Sequence, residues 1–300
     1  METQPIFILG VPRSGTTLLR TMLDSHPNIA AGAECPWISG SCGLKPSFKD
    51  LFYALINGKL GPLKNFKELT EELIAQELAQ CINGILQISA QKRGKKRWAE
   101  KTPNHMQDLP FLHKLLPEAK YIHIIRDGRD VACSSFKLKG VWWGSLWIGH
   151  EKNKCSISHM NALKRWRDWI LLAEKEIVQY QLNVHTVQYE HLIRNPKKSL
   201  KDILLFIGED WSDELLNYSN QPHSFPDWEV GSHDVAAKPK LENKNIGLWK
   251  TEFNIVEKLI CKKIADPLLV KLGYEPTSIS HIGNKPLIGS MTSVKKAASV

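Results

Sequence analysis

Residues 10–17, Gly-Val-Pro-Arg-Ser-Gly-Thr-Thr, combine small and hydroxyl side chains with a single arginine. The segment lies between a short apolar run and a stretch in which leucines recur at helix spacing, so we expect a strand, a turn and a helix. The first backbone N–H groups of a helix have no intrahelical acceptor, and the helix dipole adds positive potential there. The pattern therefore predicts a phosphate-type anion site. Its residues are Arg13, Ser14, Gly15, Thr16 and Thr17.

The segment differs from the G-x-x-x-x-G-K-[ST] loop of nucleoside triphosphatases at one position. Gly10 and Gly15 match its glycines, but Thr16 replaces the lysine that contacts the β- and γ-phosphates. This difference disfavours a P-loop nucleotide-dependent kinase, which stays an alternative prediction together with a catalytically silent nucleotide-binding protein. The loop instead resembles the one that holds the 5′-phosphosulfate in sulfotransferases that use 3′-phosphoadenosine 5′-phosphosulfate (PAPS). Arg13 would be its cation.

A second strand–turn–helix pattern covers residues 120–136, in which an apolar run ends at Arg126. The same family resemblance places the 3′-phosphate of the donor between this arginine and Ser134, in the helix that follows. A guanidinium offers a planar set of donors that suits phosphate oxygens. Two anion segments in matching strand-to-helix context are much more specific than either one alone.

The resemblance extends over residues 5–275, and it is closest to tyrosylprotein sulfotransferases and the bacterial sulfotransferases related to them. It includes the segments at 23–27, 189–192 and 271–274. It implies an α/β fold with a P-loop-type open parallel sheet flanked by helices, PAPS as cosubstrate and 3′-phosphoadenosine 5′-phosphate (PAP) as product. Tyr189 would help to fix the nucleotide. Pro36 stands where the family has an arginine, which argues against inheriting specificity for peptide tyrosine.

Transfer to an acceptor hydroxyl or amine needs a base for the acceptor proton and cations for the charge that gathers on the leaving oxygen. The resemblance assigns the base to Glu34, and a positioned base commonly contributes about 10²- to 10⁴-fold. It assigns contact with the bridging or leaving oxygen to Lys101, and Arg13 would stabilise the same phosphosulfate. His105 is the alternative base, because cytosolic small-molecule sulfotransferases have a histidine near this position. This chemistry requires no metal.

Two further segments have open interpretations. Residues 243–253 resemble a late Gly-x-Trp-Lys segment that closes over the nucleotide, where Lys244 or Lys250 could touch the 3′-phosphate. A helix that begins near residue 254 would equally explain the tryptophan of this segment. Three other tryptophans could either form an aromatic wall for the acceptor or pack under the next helix: Trp142, Trp143 and Trp147. The sequence leaves open the acceptor, which could be a carbohydrate, a lipid, a peptide tyrosine or a small metabolite, and the oligomeric state.

The chain of 300 residues is 42% hydrophobic and has a formal net charge of +9. This size allows a full α/β core, and the charge favours an anionic ligand. A nucleic-acid partner is not expected, because the basic run at 92–101 lacks the signature of a nucleic-acid fold. We find no apolar span that predicts a transmembrane helix, no signal-peptide pattern and no zinc-ligand spacing among the six cysteines. A cytoplasmic protein with reduced thiols is therefore expected.

A small set of elements must position these sites. Apolar runs predict strands near residues 5–11, 96–101, 120–126 and 183–189. Helical periodicity predicts helices near residues 15–25, 68–90, 128–138, 157–181, 196–208 and 254–272. Both anion segments follow the C-terminal ends of strands, where open α/β sheets bind their ligands. We expect one domain over residues 1–275 and a basic, flexible tail over residues 276–300.

Overall fold

The computed structural model describes residues 4–40, 45–57, 66, 68–136, 155–221, 223, 241 and 243–279. The tryptophan segment at 142–147 and residues 280–300 of the predicted tail lie outside these ranges.

The sheet of the described residues contains five strands: β1 Ile6–Leu9, β2 Ile29–Ala31, β3 Arg97–Glu100, β4 Lys120–Ile125 and β5 Val184–Gln188. Their order is β2-β3-β1-β4-β5, and every pairing is parallel. Ile6 pairs with Ala99 on one side and with Lys120 on the other. All of β1 is buried, because a central parallel strand is covered on both faces. The predicted open parallel sheet is confirmed.

Helices flank this sheet in the described part of the chain. They are α1 Thr16–Asp24, α2 Phe48–Asn57, α3 Glu71–Lys92, α4 Leu109–Leu115, α5 Gly128–Phe136, α6 Cys155–Gln179, α7 Tyr189–Arg194, α8 Pro196–Ile207, α9 Trp249–Glu252, α10 Ile255–Ile264 and α11 Asp266–Lys271. Short 3₁₀ turns cover Pro103–Gln107, Asp213–Leu215, Tyr218–Asn220 and Asn243–Asn245.

The single helix predicted over residues 254–272 is two helices in the structure. The helix α10 ends at Ile264, and α11 begins at Asp266 with Pro267 in its first turn. Proline has no N–H for a continuing helix, whereas it fits a first turn, so the break follows from its position. The start of the predicted tail also differs from expectation. Thr277 is buried, and its Oγ1 contacts Asp266 Oδ1 at 2.5 Å, so the packed chain extends past residue 275.

Two hydrophobic clusters cover the two faces of the sheet. One includes α3, α4 and α6, together with Phe7 and Tyr121 from the strands. The other includes α1, α7 and α8, together with the alternate strand residues Ile8 and Ile122. This two-sided burial explains why the strands are continuous apolar runs rather than alternating patterns.

The chain leaves β1 towards β2 on one side of the sheet, and it leaves β4 towards β5 on the other. The loops after these adjacent strands therefore diverge and form a crevice at their C-terminal ends, the usual ligand position in such sheets. Arg13 and Arg126 both lie in these loops. None of the helices in the described residues is both long enough and apolar enough to cross a bilayer.

Candidate active site

The loop between β1 and α1 adopts a tight conformation with two left-handed residues. The backbone φ is 73° at Arg13 and 95° at Gly15, and Ser14 N donates to Val11 O at 3.0 Å. A Cβ atom on Gly15 would lie 2.5 Å from Cδ2 of Tyr189, so the tyrosine ring packs directly against the loop. The predicted nucleotide residue Tyr189 thus contacts the predicted phosphate loop.

The two predicted anion segments meet in the crevice. Arg13 Nε donates to Ser134 Oγ at 3.1 Å, and Arg126 Nη1 donates to Arg13 O at 2.8 Å. The guanidinium carbon of Arg126 also lies 4.6 Å from the centre of the Tyr189 ring, within cation–π range. Residues that are more than 100 positions apart in the chain therefore form one cationic cluster.

The electrostatics of this cluster favour a bound anion. Burial, followed by the charge of Arg126, lowers the pKa of Arg13 to about 10, so its guanidinium stays protonated at neutral pH. Neither Ser14 Oγ nor Arg126 Nε has a hydrogen-bond partner among the described residues, although both atoms are buried. Buried donors are almost always satisfied in folded proteins. The unused donors on Ser14 and on the buried Arg126, next to the partly buried Arg13 and the N-terminus of α1, therefore fit the phosphate groups of a nucleotide.

Glu34 and Lys101 contact each other at the neighbouring end of the sheet. Glu34 lies in the loop after β2, and Lys101 follows β3 directly. Because β2 and β3 are adjacent, the two side chains meet as an ion pair, with only 8% and 1% of their surfaces exposed. The structure thus brings the predicted base and the predicted catalytic cation together.

His105, the alternative base, lies in the 3₁₀ turn Pro103–Gln107 and is fully buried. Its Nδ1 lies 2.8 Å from Glu100 Oε2, and its ring packs edge-on against Phe7 in the core. These contacts favour a structural role for His105.

Residues 243–250 lie against the predicted 3′-phosphate site. Arg126 Nη2 donates to Asn245 O at 2.6 Å, and the carboxylate of Asp130 accepts hydrogen bonds from Gly247 N at 2.7 Å and Trp249 N at 3.1 Å. Burial, followed by the charge of Asp127, raises the pKa of Asp130 to about 6.

Both predicted lysines of this segment are on the surface. Lys244 and Lys250 are exposed, and Lys250 Nζ is 3.9 Å from a carboxylate oxygen of Glu275. Trp249 is buried, and its ring stacks on the guanidinium of Arg129 at 3.9 Å. The buried tryptophan therefore anchors the segment, whereas both lysines lie on its exposed side.

Three buried carboxylates of the site were not predicted from the sequence. Asp130 holds the segment at 243–250, and Glu190 accepts from Asp127 N at 3.0 Å and from Tyr274 OH at 2.9 Å. Glu100 lies beside the ion pair of Glu34 and Lys101. A signal was present for each, since Asp130 and Glu190 closely follow predicted strands and Glu100 lies near the end of one. Sequence position does not show, however, which acidic residues turn inward.

Comparisons with known proteins agree with this geometry. The family model described as "Sulfotransferase family" matches residues 5–213. Nodulation protein NoeE of Sinorhizobium fredii is 26% identical over 92% of this chain and 67% of its own length. Protein-tyrosine sulfotransferase A of Caenorhabditis elegans is 28% identical over 95% of this chain and 71% of its own length.

Solved structures show the same fold. The sulfotransferase domain from the curacin biosynthetic pathway superposes with a TM-score of 0.59 at 20% identity, covering 91% of this chain and 98% of that domain. Mouse sulfotransferase SULT7A1, complexed with PAP, gives 0.53 at 16% identity, covering 90% of this chain and 84% of its own. The kinase alternative is not favoured by any of these matches. The chain belongs to the sulfotransferase family, and it is a sulfotransferase with the P-loop-containing α/β fold.

Proposed function

We propose that this sulfotransferase uses PAPS as its sulfuryl donor and transfers the group to an acceptor hydroxyl or amine. The observation that carries the proposal is the contact between the two anion segments through Arg13, Ser134 and Arg126. A donor with phosphate groups at both the 5′ and the 3′ positions needs two such segments within one nucleotide's reach. The mouse neighbour of the same fold, which contains PAP, supports this choice of donor.

Each part of the donor has its own set of residues in this proposal. The residues that hold the 5′-phosphosulfate are Arg13, Ser14, Gly15, Thr16 and Thr17. Arg126 and Ser134 hold the 3′-phosphate, Tyr189 supports the nucleotide, and Lys244 and Lys250 contribute positive charge from the segment at 243–250. The unused donors Ser14 Oγ and Arg126 Nε, which have no partner in the described part of the chain, support the assignment.

PAPS supplies an activated sulfuryl group whose leaving group is the 5′-phosphate of PAP. In this proposal a carboxylate oxygen of Glu34 accepts the proton of the acceptor, and Lys101 Nζ donates to the leaving oxygen. Glu34 and Lys101 form an ion pair in the structure, which places the proposed base beside the proposed catalytic cation. Burial of both groups strengthens this pairing by excluding water.

The remaining features of the proposal concern the acceptor, the compartment and the domain. The protein-tyrosine sulfotransferases among the relatives support an acceptor hydroxyl. A cytoplasmic location is also part of the proposal, because none of the described cysteines Cys35, Cys81, Cys133 and Cys261 is in a disulfide. We also retain one domain as the functional unit, now with its packed end at Thr277 or beyond.

Isothermal calorimetry with PAP, ADP and ATP–magnesium tests the donor. We expect PAP to bind at least about tenfold more tightly than ADP, because the 3′-phosphate gains charge-assisted hydrogen bonds from Arg126. Arg126→Ala should weaken PAP binding by about 10- to 100-fold, in the range expected for loss of charged hydrogen bonds. Arg194→Ala removes an exposed arginine at the end of α7 and should leave binding unchanged. Equal binding of PAP and ADP, or a preference for ATP–magnesium, would overturn the donor assignment.

Glu34→Gln tests the base separately from the donor. The amide keeps the shape of the side chain but accepts no proton, so we expect turnover to fall by about 10²- to 10⁴-fold while the dissociation constant of PAP stays the same. Transfer of ³⁵S from labelled PAPS to phenol, with release of sulfate to water as a second readout, measures turnover. Wild-type turnover in this variant would contradict the role of Glu34.

A further inference from the structure

We propose that Glu100 is a positioning residue that fixes the positions of Glu34 and Lys101 relative to each other. This inference rests on the proposed roles of those two residues. Glu100 is the last residue of β3, and it is 1% exposed. It is joined to Lys101 by a peptide bond and to the residue after Glu34 by a hydrogen bond.

The carboxylate of Glu100 has four neighbouring donors. Its Oε1 accepts from Cys35 N at 3.0 Å and from the hydroxyl of Thr102. Its Oε2 accepts from Thr102 N at 3.0 Å and lies 2.8 Å from His105 Nδ1. A carboxylate accepts hydrogen bonds at both oxygens and donates none when it is ionised, so it matches a surrounding made only of donors.

The ionised form of Glu100 is the form that this arrangement favours. Burial works to raise the pKa of Glu100, but the charge of His105 and hydrogen bonds from His105, Thr102 and Cys35 outweigh it and lower the pKa below its ordinary value. A glutamine at this position would turn an N–H₂ group towards one of the donors and leave that donor unsatisfied.

The bond to Cys35 matters because the strand pairing ends before the catalytic residues. The ladder between β2 and β3 has its last pair at Ala31 and Ala99. Beyond that pair, Cys35 N donates to Glu100 Oε1 and also to Thr102 Oγ1 at 2.8 Å. These side-chain bonds continue the connection of the two chain segments past the end of the ladder.

The consequence is a fixed distance between base and cation. Glu34 is one residue from Cys35, and Lys101 lies between Glu100 and Thr102, so the two bonds from Cys35 N set the relative positions of both backbones. A displacement of about 1 Å at a reacting group can cost on the order of 10²-fold in rate. The donor residues lie outside this connection: Arg13 is in the loop after β1, Arg126 follows β4, and Ser134 is in α5.

The first test compares Glu100→Gln with wild type in the ³⁵S transfer assay and by calorimetry with PAP. We expect kcat to fall by more than about tenfold while the dissociation constant of PAP changes by less than about threefold, since only the transition state needs the alignment. Thr102→Val should act in the same direction, and Thr102→Ser, which keeps the hydroxyl, should restore activity. A kcat of Glu100→Gln within about twofold of wild type would overturn the inference, as would PAP binding that weakens as much as kcat falls.

A double-mutant cycle then separates positioning from general damage. If Glu100 acts through Glu34, adding Glu100→Gln to Glu34→Gln should lower turnover little further, because the base is already lost. Additive losses would refute this coupling. Full turnover of Glu34→Gln alone would instead refute the proposed base, so the two failures are distinguishable.

Hydrogen exchange provides a readout that does not depend on turnover. In Glu100→Gln the amides of residues 32–35 should exchange faster, because the bond from Cys35 N is weakened, whereas the amides of residues 13–17 should be unaffected. Unchanged exchange at residues 32–35 would overturn the inference even if the acceptor of the enzyme is still unidentified.

Discussion

Arg13 is held in a backbone conformation that is unfavourable for a side chain. Its φ of 73° lies in the left-handed region, which costs roughly 1–2 kcal/mol for a residue with a Cβ atom. Two contacts compensate: its carbonyl accepts from Arg126, and its Nε donates to Ser134. Both partners belong to the other anion segment, so the strain at Arg13 is maintained by the residues with which it shares the ligand site. Backbone strain of this kind is typical of ligand-binding loops.

Gly15→Ala should disable the loop because Gly15 has neither the conformation nor the space for a Cβ atom. Its φ is 95°, and the new atom would lie 2.5 Å from the Tyr189 ring. We expect the protein to lose about 1–3 kcal/mol of stability from the strained backbone and PAP binding to weaken by at least about tenfold as Tyr189 is displaced. Urea unfolding and calorimetry measure the two effects.

Gly84→Ala is the matched control for that prediction. Gly84 lies within α3, where a Cβ atom meets nothing within 4 Å. Alanine should therefore stabilise the helix by about 0.5–1 kcal/mol and leave PAP binding unchanged. Equal effects of the two substitutions would contradict the role assigned to the loop at Gly15.

At the scale of elements, the sequence predicted the strands and helices whose hydrophobic patterns are long enough to recognise. The buried strands β1 and β4 are continuous apolar runs, and α3 and α6 are long enough to show periodicity. The strand β2 was not predicted, because Ile-Ala-Ala is too short to show a hydrophobic pattern. The motif residues of the site could be predicted because they lie together in short segments of the sequence. The buried carboxylates could not, because tertiary contacts turn them inward and no local pattern shows this.

The strand β4 also contains a buried histidine that should make stability depend on pH. His123 is 2% exposed, and its Nε2 has no hydrogen-bond partner among the described residues. Burial lowers the pKa of His123 from 6.5 to about 4. Below pH 6.5 the unfolded chain therefore binds a proton on His123, whereas the folded chain binds this proton only near pH 4. This contribution to stability is present above pH 6.5 and is lost as the pH falls from 6.5 to 4.

Urea unfolding at pH 7 and pH 5 measures this effect. Relative to His123→Leu, the wild type should lose about 2 kcal/mol more of its unfolding free energy between these two pH values, since one unit of pKa shift corresponds to about 1.4 kcal/mol. His191→Leu, at an exposed position on α7, should keep the wild-type pH dependence. The same pH dependence in His123→Leu and wild type would show that the buried ring does not titrate as inferred.

At the scale of the whole molecule, the site is assembled from segments that are far apart in the chain. Arg13 follows β1, Arg126 follows β4, and Tyr189 follows β5, while Asn245 belongs to the segment before α9. The strand order brings these ends to one crevice. Because Arg126 contacts Arg13, Tyr189 and Asn245, a ligand that orders this arginine should also order the three segments around it.

Hydrogen exchange with and without PAP tests whether the site behaves as one unit. Saturation with PAP should slow exchange together at residues 11–17, 126–134 and 243–250, because ligand binding suppresses the local opening of every segment that it contacts directly or through Arg126. The helix α3, which takes no part in the proposed site, should show no change beyond that of the global stability. In Arg126→Ala, the protection that PAP gives to residues 243–250 should be lost most completely, since Arg126 Nη2 donates the direct hydrogen bond to Asn245 O. Protection confined to residues 11–17 in the wild type would mean that PAP contacts a single phosphate loop and that the segment at 243–250 is not part of the nucleotide site.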